Sequence, residues 1–96
     1  YSSMLQSFHD LVADVMHRHG GVADDPQGDD GLMSYFGHPV AAEDAAPRAV
    51  SAALVLVQAV AELGFEVRIG VATGPVAIQH DTPVGVSIHL AARLQN

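Results

Sequence analysis

The sequence predicts an α+β fold, an antiparallel sheet with helices packed on one face. Three observations carry that expectation. Apolar residues recur at three- and four-residue spacing in long stretches, they alternate at a spacing of two in shorter ones, and the two kinds of stretch take turns along the chain. From Tyr1 onward the expected order is helix, hairpin, helix, hairpin, helix, with four strands. At 96 residues, 49% hydrophobic and 16% charged, the composition suits one small globular domain spanning residues 1–96. No apolar run approaches the ~20 residues of a bilayer-spanning helix. No basic start with an apolar core and a small-residue cleavage site is present either, so the expectation is a soluble, cytoplasmic chain without membrane contact.

The first helix is expected from Tyr1 to His19, where Met4, Leu5, Phe8, Leu11, Val12, Val15 and Met16 form one stripe. Ser2 or Ser3 is its candidate cap, and Gly20-Gly21 is its stop. His17, Arg18 and His19 fall in the last turn, where the helix dipole favours positive charge. His17 and His19 diverge on a helix, and they and His9 read as surface polar residues. Val22 to Gln27 is expected as a short strand, an irregular one because Pro26 has no amide donor. Gly28 to Gly37 then gives a tight reversal and the apolar strand Leu32 to Phe36, which Gly37-His38-Pro39 ends. The second helix is expected from about Asp44 to Leu63, with Glu43 and Asp44 at its acidic start, Pro47 in the first turn and Gly64 as its close. Its expected buried stripe is Val50, Ala53, Leu54, Val57 and Ala61.

Phe65 to Thr73 alternates, with Phe65, Val67, Ile69 and Val71 on one face and Glu66, Arg68, Gly70 and Ala72 on the other. Thr73-Gly74-Pro75 turns the chain and Val76 to Ile78 is expected to return beside it. Val86, Ile88, Leu90, Ala91 and Leu94 suggest a last helix from Val86 to Asn96, with Ser87 as its cap.

The chain has no cysteine and no lysine, and its arginines are Arg18, Arg48, Arg68 and Arg93. A formal charge of −7 argues against a nucleic-acid partner, because backbone phosphates call for clustered Lys and Arg. Such a chain can still bind a nucleotide where metal ions supply the positive charge. The adjacent carboxylates of Asp29 and Asp30, on the hairpin tip, are the candidates for that. Asp-Gly turns also connect hairpins with no function attached.

Read together, His19-Gly20-Gly21, Gly28-Asp29, Gly31 to Pro39, Glu43-Asp44, Arg48-Ala49-Val50, Arg68 to Gly74 and Ala91 to Gln95 resemble, in order, the catalytic domain of class III nucleotide cyclases, the adenylate and guanylate cyclases. The resemblance implies a ferredoxin-like core, working as a head-to-tail homodimer with nucleoside triphosphate bound between protomers. In that family two divalent ions, Mg²⁺ or Mn²⁺, activate the ribose 3′-hydroxyl for attack on the α-phosphate, and pyrophosphate leaves. Carried across, Asp29 matches a metal aspartate, with Asp30 as the additional candidate beside it. Thr82 falls where the purine edge is read, Arg93 matches the transition-state arginine, and His89 stands at the asparagine position that contacts ribose. On the expected last helix, positions 89 and 93 face one cleft.

The sequence also departs from the family. The strand carrying the first metal aspartate is absent ahead of the first helix, and Asp25 stands near the place of a purine-reading lysine. The connection from Val76 to Gly85 is short, and the chain stops just after Gln95. The expectation is an incomplete piece of the domain, inactive by itself. Two functions follow: a cyclase acting on ATP, with GTP as the alternative, in the intact polypeptide, or a catalytically degenerate module that dimerises or senses nucleotide within a larger signalling or transcriptional regulator. A plain ferredoxin-like interaction domain is a third.

Overall fold

The first apolar stripe forms helix α1 (Ser2–Arg18) in the computed structural model, which describes residues 2–24, 31–38, 40, 42–73 and 83–93. Phe8, Val12, Val15 and Met16 are buried, with Met4, Leu5 and Leu11 at the margin of the same core. Ser2 and Ser3 lie inside the helix rather than capping it. The helix stops as its sequence predicts. Gly20 adopts a φ of 88°, the Gly21 N–H donates to the Met16 carbonyl at 2.8 Å and the Gly20 N–H to the His17 carbonyl at 3.0 Å. These are the paired bonds of a Schellman motif.

Strand β1 (Val22–Ala23) pairs antiparallel with β2 (Gly31–Phe36), and the Asp24 N–H adds a bond to the Met33 carbonyl at 2.7 Å. The rest of the expected first strand and the hairpin tip, residues 25–30, lie outside the described residues. Helix α2 (Ala45–Glu62) starts at Asp44, whose carboxylate accepts from Arg48 Nε at 2.7 Å instead of capping the backbone. It ends at Gly64, with a φ of 89°. Its buried face is Ala45, Ala49, Ala52, Leu56 and Val60, which corrects the expected stripe: Val50, Leu54 and Val57 are exposed. The alanines face inward because small side chains let the helix axis come close to its neighbours.

Strand β3 (Phe65–Thr73) alternates as expected from Phe65 to Gly70, whereas Val71, expected on the face of Phe65, is exposed. The last expected helix is instead a strand, β4 (Val84–Arg93). Val84, Val86 and Ile88, β-branched and two apart, are all buried, a spacing that suits a pleat and not a helical turn. The expected returning strand, Val76 to Ile78, lies outside the described residues.

The sheet is antiparallel throughout, in the order β1-β2-β4-β3. Since β4 runs against both neighbours, β2 and β3 are parallel, and β2-α2-β3 is a split β-α-β unit with β4 in the gap. Leu32, Phe36, Phe65, Val84, Val86 and Ile88 share one core cluster with both helices, so the helices cover one face, as the sequence predicts. The Phe8 and Phe65 rings meet there at 6.5 Å, tilted by 57°.

Candidate functional site

The other sheet face carries no described helix, and strand register fixes what it presents. Three rows run across β2, β4 and β3: Tyr35, Gly85 and Ala72; Met33, Ser87 and Gly70; Gly31, His89 and Arg68. The first two rows have a low middle. A Cβ at Gly70 would stand 2.9 Å from Ser87 Oγ, and one at Gly85 would stand 3.6 Å from Met33 Cε. Tyr35 and Met33 therefore border a shallow floor of small residues, and the His38 ring meets Tyr35 edge-on at 6.3 Å. The third row is polar, with His89 and Arg68 both exposed.

His89 is thus the sequence candidate that this face displays, directly across from Gly31. Asp29, Asp30 and Thr82 lie outside the described residues, although Asp30 immediately precedes Gly31 in the chain. Arg93 ends β4, and the expectation that it shares a helical face with His89 is corrected. Ala91 is an extra residue between the pairs Leu90–Val67 and Ala92–Glu66, so the alternation slips. Position 93 consequently pairs with buried Phe65, whereas His89 pairs with Arg68 on the open side.

Arg68 is the neighbour that sequence reading left unconnected to His89. Its alternation told which face it occupies, but only register tells what stands beside it. Arg18 and Arg48 form exposed ion pairs with Asp14 and Asp44, each at 2.7 Å, while Arg68 has no ion pair among the described residues. His19 and His17 behave as surface residues at a helix end: His19 Nδ1 donates to the Val15 carbonyl at 2.8 Å and His17 is exposed. Among the described residues no three His, Asp or Glu side chains gather as a metal-ligand set. A shallow groove lined by Leu54, Val55, Gln58, Ala59 and Glu62 lies on the outer side of α2, on an element that contributes nothing to the three rows.

Compared with known proteins, the chain matches no family model, no curated protein and no solved structure. The functional reading therefore rests on its residues and their register.

Proposed function

We propose that this chain is part of a class III nucleotide cyclase catalytic domain with a ferredoxin-like core, forming a 3′,5′-cyclic nucleotide and pyrophosphate from ATP, with GTP as the alternative substrate, within a cytoplasmic signalling protein. The observation that supports this most is the pairing of His89 with Gly31, the residue that follows Asp29-Asp30. Facing residues on adjacent strands have Cα atoms roughly 4.5–5.5 Å apart, so His89 stands at the end of β2 that Asp29-Asp30 precede in the chain. Asp29, or Asp30 beside it, is the residue assigned to Mg²⁺ or Mn²⁺; when bound, the cation would lower the pKa of the ribose hydroxyl and offset charge on the phosphates. His89 offers a ring N–H to ribose in the place of an amide. Arg93 is assigned the phosphate charge and Thr82 the purine edge. A head-to-tail homodimer completes the site.

The second reading, a degenerate module that dimerises or senses nucleotide, is favoured by one observation: position 93 pairs with Phe65 and not along the His89 row. A product assay separates the two. The polypeptide carrying this domain is supplied with ATP or GTP and Mn²⁺, as wild type, Asp29→Ala and Arg93→Ala. The cyclase reading expects cyclic nucleotide from wild type and a loss of at least about tenfold, ~1.4 kcal/mol of transition-state stabilisation, in each variant. No product from a folded, assembled wild type leaves the regulatory module.

A further inference from the structure

Helix α2 is apolar on both of its sides. The alanine side, with Leu56 and Val60, packs on the sheet and on α1. The other side exposes Val50, Leu54, Val55 and Val57, with Leu54 at 69%, and no charged residue interrupts it from Ala49 to Ala61. A helix apolar all round is ordinarily covered all round. This outer side is also ridged. Leu54, Gln58 and Glu62 line the groove as one ridge at four-residue spacing, and Val55 and Ala59 line it as the next. Grooves between ridges of that spacing receive a ridge of another helix.

Charge on α2 is confined to its ends. Near the start, Arg48 is the one cation of the helix, and it is already paired with Asp44 at 2.7 Å. In the last turn Glu62 borders the groove at the negative end of the helix dipole, and no basic residue of that turn offsets either. The first helix, by contrast, ends in His17 and Arg18.

We propose that this groove docks an amphipathic helix of a partner protein, one whose apolar ridge lies between Leu54 and Val55 and whose lysine or arginine side chains meet Glu62. Such helix-in-groove docking sets apolar anchors in the groove and leaves orientation to the charged rim. Charge complementarity selects this occupant over two others. A second copy of α2 would bring Arg48 together with Asp44, and so no net positive charge. A membrane surface calls for basic residues flanking the apolar face, and α2 has only the paired Arg48. The groove is on the helix-covered side of the sheet, away from the rows that carry His89, so the docking stands without the nucleotide chemistry.

Fluorescence anisotropy tests this on the polypeptide carrying the domain. The probes are a labelled helical peptide with leucines along one face and lysines beside them, and a second peptide with glutamate in place of each lysine. At about 0.15 M salt, where distant charges are screened, the wild type should bind the lysine peptide at least about tenfold more tightly than the glutamate peptide. Leu54→Asp should weaken that binding at least about tenfold, and Glu62→Lys should narrow the preference between the peptides at least about fivefold. Leu54 and Glu62 are both exposed, and circular dichroism establishes that each variant is folded. Should Leu54→Asp unfold the chain, Leu54→Ser is read the same way. A wild type that binds neither peptide, an affinity indifferent to Leu54→Asp, or a preference unchanged by Glu62→Lys overturns the proposal. So does a wild type that, with no peptide present, binds phosphatidylcholine vesicles or self-associates through this face and loses either property in Leu54→Asp, which would give the groove to a lipid surface or to a second copy.

Discussion

Gly21 has no room for a side chain. A Cβ there would lie 2.6 Å from Phe36 Cζ and 2.9 Å from two more atoms of the same buried ring. The ring is held between core neighbours and has no flexible end to move aside, so Gly21→Ala should cost about 1–3 kcal/mol through overpacking. A lowered urea midpoint at unchanged slope is the expected reading. Gly20 differs in kind: its φ of 88° is what the helix stop needs, and the nearest atom to an added Cβ is Arg48 Nη1, the end of a mobile side chain. The sequence announced Gly20 as a stop. That Gly21 makes way for an aromatic ring from β2 was not legible, because the contact crosses 15 residues of chain. Ser34 is similar: its hydroxyl is buried with no partner among the described residues, a fact that comes from packing alone.

Helix α2 shows where periodicity runs out. It was legible as a helix, with its ends nearly right, but it is apolar almost all round, so the pattern did not say which side the core takes. The larger side chains Val50, Leu54 and Val57 point outward, and the alanine side goes in. The contrast is testable within one helix. Leu56→Ala, at 0% exposure, should cost roughly 2–5 kcal/mol, and Leu54→Ala, at 69%, should stay within about 0.5 kcal/mol, both by chemical denaturation. Equal losses would mean that the helix is rotated from the face described. By length and composition α2 could also cross a membrane, although its alanine side, with Leu56 and Val60, is taken up in the core. β4 was misread for the opposite reason: Val86, Ile88 and Leu90 fit a pleat, but Ala91 and Leu94 extended the pattern into a helical one. The bulge at Ala91 is where the two periods cross.

At the scale of the whole molecule, the class and the single helical face were legible; the strand order was not, and neither was the fourth described strand, which was expected as a helix. Order depends on which distant segments meet, and nothing local distinguishes a central strand from an edge. For the same reason the third row of the candidate site could not be assembled from sequence, since Gly31, Arg68 and His89 come from three strands. The central position of β4 carries a prediction. Ser87 pairs with Met33 on one side and Gly70 on the other, so a proline there removes an amide from a strand bonded along both edges. Ser87→Pro should abolish the cooperative thermal transition seen by circular dichroism; a variant that melts like wild type would place β4 at an edge.

That same central strand is the last of the four to leave the ribosome. β2 and β3 share no bond with each other, and both wait for residues 84–93 to bridge them. During synthesis the nascent chain can pair β1 with β2 and form both helices early, yet it holds two apolar strands with open inner edges until residues 84–93 have emerged. Long-range pairing of this kind forms slowly and exposes surface prone to aggregation meanwhile. The yield of soluble protein in a cell should therefore depend less on final stability than on how quickly translation passes the gap between β3 and β4, and on whether a chaperone shields the strands while it does.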